Sequence, residues 1–308
     1  MLAAAVGVFA VVLHGGGGPV GLARSIAESD LFGAEFFSPF AGGSMMAAAS
    51  LYLVFSVGTL AQPQLLHKLM MVRDLDRLRW LPLVLGGSQA ACLVVWLGLG
   101  LAVPAAVAAG RMPPVAEVDQ AVPAFLVHLE SRTLSGLMLV GIVAAIMSTA
   151  DSFLNLAAGA LRRDLPRALG RTRVPDGQAL RRLRWTTLWI GLAAGLLAGG
   201  YGDLIALLGT FAFGVFAAAL VPTLVVGLNW SRASARAATV SIWAGMVTAI
   251  GLELLRLRGP SEWVAIALPA GVLPGAVALL VSLATFFVVS WAGPPRRVDP
   301  ASERILSM

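Results

Sequence analysis

The sequence predicts an all-α polytopic membrane protein, and three observations carry that prediction. First, 58% of the 308 residues are hydrophobic and only 12% are charged, with a mean hydropathy of +0.85. A soluble domain carries about 25% charged residues. Second, the apolar residues fall into long runs, near the ~20 residues that a helix needs to cross a bilayer. Third, the basic residues gather in alternate connections between those runs.

About eight spans can be marked, forming one transmembrane domain over residues 1–308. They cover 1–13 (partial), 44–66, 81–104, 134–161, 184–199, 204–228, 234–254 and 263–291. The first is short. No basic residue precedes it, which argues against a signal peptide. It reads either as a half-buried terminal segment or, preferably, as the C-terminal half of a helix whose start lies outside this chain. Between the third and fourth spans the connection 105–133 is long. Its middle, Val115–Leu129, is apolar with Glu117, Asp119 and Pro123 interspersed, and predicts a short amphipathic helix on the outer face. Residues 162–183 contain Pro166, Gly170, Pro175 and Gly177 and predict a linker.

Charge fixes the expected orientation. Seventeen of the 22 basic residues lie in 67–80, 162–184, 229–236 and the C-terminal tail. The other five, Arg24, Arg111, Arg132, Arg256 and Arg258, lie in the opposite connections. Positive connections stay inside, so both termini are expected in the cytoplasm. Leu31–Pro39, Arg111–Arg132 and Gly200–Asp203 are then expected outside. The net charge of +6 is therefore a topology signal, and no nucleic-acid partner is expected. A single cysteine, Cys92, and three scattered histidines, His14, His67 and His128, offer no metal cluster.

Two spans carry breaks. Span two contains Ser56, Gly58, Thr59, Gln62 and Pro63. Proline removes a helical hydrogen bond, and glycine weakens the turn around it. The cluster reads either as a discontinuous helix of the kind that binds solutes and ions at the midplane, or as a proline kink filled by a neighbour's side chain. Span six holds Gly209, Thr210, Gly214 and Pro222. Its Phe211, Phe213 and Phe216 form part of a gate or pack, packing being preferred.

The fourth span has a polar knot at its middle: Ser148, Thr149, Asp151, Ser152 and Asn155. Ser148, Ser152 and Asn155 share one helical face, with Thr149 about 100° round from Ser148. A serine or threonine hydroxyl can donate to the carbonyl four residues back and still offer a lone pair. Two adjacent hydroxyls and the carbonyl of Ala145 supply neutral, hard oxygens suited to a small monovalent cation. Asp151 could attract the cation, carry a proton or pair with an arginine. The alternative is that these groups only hydrogen-bond neighbouring helices.

An enzymatic reading is set aside. Gly200-Tyr201-Gly202-Asp203 matches the pattern of intramembrane aspartyl proteases, with Leu268-Pro269-Ala270 downstream. That chemistry needs two facing aspartates sharing a proton. Asp203 is expected in an outer loop, and Asp151 is taken as the only other mid-membrane acid.

MSTADS (Met147–Ser152), the earlier GTLAQPQLLHK (Gly58–Lys68) and the exit Arg162-Arg163-Asp164 occur in an order that resembles the sodium:solute symporter family, near its proline- and pantothenate-type members. The resemblance implies a LeuT-type fold, present incompletely. Span one looks like the last helix of the first repeat, spans two to six like the whole second repeat, and spans seven and eight like peripheral helices. It implies sodium ligands at the Ala145 carbonyl and the Ser148 and Thr149 hydroxyls. The rest of that site would come from a broken helix outside this chain. Asp151, Ser152 and Asn155 would stand nearby in a cation or gate role, and Ser56, Gly58, Gln62 and Pro63 would mark the solute and gate region. The implied activity is sodium-coupled symport of a small organic solute, such as an amino acid or carboxylate, across the bacterial inner membrane. The chain would be N-terminally truncated or split, with its N-terminal half as a partner. Sodium is the coupling ion, and no other cofactor is expected. A non-transporting sensor or scaffold module is the alternative function.

Overall fold

The computed structural model describes residues 2–14, 17–29, 31–32, 34–37, 43–72, 75–129, 131–170, 176–200 and 205–293. The described residues are helical, with no strand. In chain order the helices are α1 (Leu2–His14), α2 (Gly18–Ala27), α3 (Met45–Leu60), α4 (Pro63–Met70), α5 (Leu81–Ala108), α6 (Ala121–His128) and α7 (Arg132–Gly159). They continue with α8 (Leu165–Ala168), α9 (Asp176–Gly199), α10 (Ile205–Leu220), α11 (Gly227–Asn229), α12 (Ala235–Arg258), α13 (Ser261–Ala267) and α14 (Pro274–Ala292). Among the described residues, six helical stretches are long and apolar enough to cross a membrane: Met45–Leu69, Leu78–Ala108, Arg132–Ala168, Leu207–Asn229, Ala235–Arg258 and Pro274–Ala292. The protein is therefore a polytopic helical membrane protein.

The helices divide into two compact units. The first comprises Met1–Phe37 and Val72–Gly202. There α1 packs on both α5 and α7, and α2 closes on α5. Val8 and Val12 of α1, Ile26 of α2, Leu99 and Ala105 of α5, and Met138 of α7 form one core. Gly98 lets Val8 seat against α5 with no intervening side chain. In the long connection, α6 is a two-turn helix whose Phe125 and Leu126 enter this same core. It is shorter than Val115–Leu129 and anchored on the unit's own apolar centre.

The second unit comprises Ser38–Met71 and Asp203–Met308, and α10, α12 and α14 are its mutual core. Its helices approach through small residues. A Cβ on Gly214 of α10 would fall 2.7 Å from the Cα of Gly275 on α14. One on Gly245 of α12 would fall 2.6 Å from the carbonyl of Ala218. Ser282 of α14, fully buried, donates to the Ser241 carbonyl of α12 at 2.9 Å. Small residues that bring backbones close are how helices associate where lipid supplies no hydrophobic drive.

Several helices depart from the boundaries read in the sequence. Of residues 162–183, read in the sequence as a linker, 162–168 and 176–183 are helical, and 171–175 lie outside the described residues. The chain continues from α7 through a π-helical turn, Ala160–Asp164, into α8, and α9 begins at Asp176. Pro166 cannot donate a helical hydrogen bond, and the π-helical turn Ala160–Asp164 lies directly before it, where the regular α-helical ladder is already altered. Arginines tolerate the position by reaching polar partners: Arg162 donates to Thr186 Oγ1 of α9, and Arg163 pairs with Asp164 at 2.9 Å. The last span begins at Pro274, not at residue 263. Gly271, at φ +76°, and Pro274 punctuate the approach, and Leu273 N–H is held by Ser50 Oγ of α3 at 3.1 Å. Span three runs past Pro104 to Ala108.

Candidate sodium and solute site residues

The polar knot lies on α7, in the first unit. Ser131 caps α7 by accepting from Leu134 N–H, and Ser135 Oγ ties the first turn to the Leu126 carbonyl of α6 at 2.6 Å. Met138 and Gly141 are the buried residues in the N-terminal half of α7. The knot follows that anchored segment. Thr149 Oγ1 donates to the Ala145 carbonyl at 3.1 Å. Its proton is thereby committed, and its lone pairs remain on the same side as that carbonyl. Ser152 Oγ donates to the Ser148 carbonyl at 3.0 Å. Asn155 Nδ2 donates to Asp151 Oδ1 at 3.0 Å, one turn apart. Of the three roles open to Asp151, the hydrogen bond seen is therefore to an amide on its own helix.

Exposure separates this helix from its neighbours. Ser148, Thr149, Asp151 and Asn155 are all exposed, and only 11% of the apolar window in Arg132–Ala168 is buried, the least of the six stretches. The donor set is chemically suited to a hard monovalent ion: one carbonyl and two hydroxyls, without thiol or imidazole. Among the described residues no group of three or more metal-ligating His, Cys, Asp or Glu side chains occurs.

The break in span two lies in the second unit. α3 ends at Leu60, Gln62 adopts an extended conformation (φ −64°, ψ 118°), and Pro63 opens α4. The interruption has a local cause. Pro63 has no N–H to donate into the preceding turn and restricts Gln62 to extended backbone. Gly58 is buried against α10: a Cβ there would meet Ala217 Cβ at 3.2 Å and the Phe213 carbonyl at 3.3 Å. Gln62 is 1% exposed. Its Oε1 accepts from Gln64 Nε2 at 2.8 Å, while Gln62 Nε2 and Gln64 Oε1 have no partner. Exchanging O and N in both amides would keep their mutual hydrogen bond, with Gln62 donating and Gln64 accepting. Ser56 stands apart on the exposed face of α3 and does not join Gly58 and Gln62.

Phe213 stacks on Phe55 of α3 with centroids 4.9 Å apart, which accounts for it as packing. Phe211 instead lines a cavity of about 270 Å³ in the second unit, together with Thr210, Glu253, Arg256 and the first turn of α14. Glu253 was missed in the sequence: it is a second acid within an apolar span, so Asp151 is not alone with Asp203. It is 6% exposed, and its Oε1 accepts from Arg256 Nη2 at 2.7 Å and from Arg256 Nε at 3.1 Å. The signal was present, because an acid and a base at i, i+3 pair on a helix. Asp203 lies outside the described residues. Two further features were not read from the sequence, the π-helical turns Ala160–Asp164 and Val221–Val226. The latter contains Pro222 and so was foreshadowed by a residue that cannot complete an α-helical bond.

Helical spans, one carrying a polar knot and another broken at a buried glutamine, define a polytopic membrane protein. The sodium:solute symporter family model matches residues 1–245, and the chain belongs to that family. It is 26% identical over 238 residues to the osmoregulated proline transporter of Bacillus subtilis, covering 75% of this chain and 46% of that protein. It is 25% identical over 221 residues to the sodium/pantothenate symporter of Haemophilus influenzae, covering 68% and 44%. An uncharacterised symporter of Cupriavidus necator is 32% identical over 174 residues, covering 49% and 24%. The chain thus spans about half or less of the length of these relatives, which are transporters, not enzymes. No solved structure matches it.

Proposed function

We propose that the chain forms part of a sodium-coupled symporter for a small organic solute, with an amino acid or carboxylate, such as proline or pantothenate, as the solute class to test first. The observation that carries this reading is the arrangement on α7. Thr149 bonds back to Ala145, so the carbonyl and the Thr149 hydroxyl lie 3.1 Å apart on an exposed face, with Ser148 one residue before. Exposed hydroxyls, a carboxylate and an amide on an apolar helix are costly in lipid unless they serve a site or meet protein. The Ala145 carbonyl and the Ser148 and Thr149 hydroxyls would hold the ion. Further oxygens would come from groups outside the described residues. Asp151, held by Asn155, would add negative charge beside it.

Gln62 supports the solute reading. It is a buried amide at a helix break with bonding capacity unspent, as expected where a solute's polar group is received. Ion binding would favour one conformation, the solute would join it, and the site would reopen on the other side. Both termini are proposed to be cytoplasmic in the inner membrane. The test is uptake of radiolabelled proline and pantothenate into vesicles carrying the protein, under an inward sodium gradient and under an equal potassium gradient. Uptake with sodium alone supports the proposal. Uptake indifferent to the ion, or none with either solute class, counts against it.

A further inference from the structure

We propose that the N-terminal turns of α9 form a binding site for an anionic glycerophospholipid, whose phosphodiester sits between Arg181 and Arg184 and whose acyl chains run along Trp185 and Leu188. These residues, with Leu180, line an open groove of about 500 Å³. The spacing follows from the helix. Positions 181, 184, 185 and 188 are separated by three, one and three residues, so they share one face, with the cations a turn ahead of the leucine. All four side chains are exposed.

Charge accounting leaves this pair uncommitted. Arg162 is engaged by Thr186, Arg163 by Asp164 and Arg182 by Gln178 Oε1 at 3.2 Å. Among the described residues no hydrogen bond or ion pair is seen for Arg181 or Arg184. The adjoining charges do not relieve them, because Arg162, Arg163 and Arg167 close the same end of the first unit through the π-turn and α8. Two guanidiniums a turn apart, in a field that is already positive, attract an anion, and their planar donor forks can bond two oxygens of a phosphate.

The apolar half of the groove decides between a free anion and a lipid. Trp185 is 55% exposed and Leu188 58% exposed. An indole beside arginines at the start of an apolar helix is the arrangement found at the headgroup level of a membrane. Basic pockets at the cytoplasmic ends of spans receive anionic headgroups. A soluble phosphate would leave that apolar surface uncovered; an acyl chain covers it.

The experiment is native mass spectrometry of the full chain in a neutral detergent, titrated with phosphatidylglycerol and, separately, with phosphatidylcholine. The expected result is one or two retained phosphatidylglycerol molecules and at least tenfold weaker retention of phosphatidylcholine. Arg181→Gln with Arg184→Gln should weaken phosphatidylglycerol retention roughly tenfold or more. The control pair Arg232→Gln with Arg236→Gln removes the same charge elsewhere and should change it less than about threefold. Arg181→Lys with Arg184→Lys, which keeps the charge and guards against a folding defect, should retain part of the binding. Three outcomes overturn the proposal: equal retention of both lipids, equal losses in the two glutamine pairs, or displacement of the lipid by millimolar inorganic phosphate.

Discussion

Thr149 shows how a polar side chain can be both satisfied and available. Its proton goes to the Ala145 carbonyl, and its lone pairs are left for another partner. Gln62 is the opposite case, a buried amide with a donor group unspent. Replacing it with leucine removes its own orphan but takes the acceptor from Gln64 Nε2, and should cost about 1–2 kcal/mol of stability. Solute uptake should fall at least tenfold if the amide receives the solute. A Tm series combined with uptake separates the two effects. Glu253 behaves differently because its carboxylate is already paired. Glu253→Ala removes the one oxygen, Oε1, that accepts from both Arg256 Nε and Nη2 in a half-buried setting, and should cost about 2 kcal/mol, read from denaturant or thermal midpoints. Glu253→Gln, which retains an acceptor oxygen, should cost less.

At the scale of helices, the second unit depends on the absence of side chains where α10 crosses α14. Gly214→Val would place its branched side chain against the Gly275 backbone, which cannot yield as a flexible side chain does. The expected loss is about 2–3 kcal/mol, seen as a lowered Tm. Gly86→Val, at a position with open space around its Cβ, is the control and should be mild. The same scale shows which parts of the fold were legible in the sequence. The interruption between α3 and α4 could be read because its cause is local: Pro63 acts on the residue before it whatever surrounds them. The polar knot could be read for the same reason, since back-bonding spans only four residues. The helical continuation through Arg162–Ala168 could not. It depends on Thr186 and Asp164 receiving arginines that look, in sequence, like a solvated loop. Pro104 within α5 and the late start of α14 likewise depend on packing and on the Ser50 contact from 223 residues away. Ser56 was grouped with Gly58 by proximity in sequence, but residues two apart in a helix point to nearly opposite sides.

For the whole molecule, composition and charge alternation gave the membrane setting, and the order of the motifs gave the family. The orientation proposed from the distribution of arginines is directly testable. Cys92 is the only cysteine. With Cys92→Ser as background, single cysteines at Asp119 and at Arg167 should label from opposite sides with an impermeant maleimide, Asp119 from outside intact cells and Arg167 only after permeabilisation. Labelling of both from one side would contradict the proposed topology.

The central claim is that oxygens of Ala145, Ser148 and Thr149 hold sodium. The most direct test is thermal stabilisation of the purified protein by sodium, measured against potassium at equal ionic strength. A ligand present at a hundredfold excess over its Kd stabilises by about 2.7 kcal/mol, a shift of several degrees or less in a protein of this size. The predicted result is a sodium-specific rise in Tm that Ser148→Ala and Thr149→Ala abolish and that Ser152→Ala leaves largely in place. Equal stabilisation by both ions, or equal losses in all three variants, would contradict the assignment of the site to this face of α7.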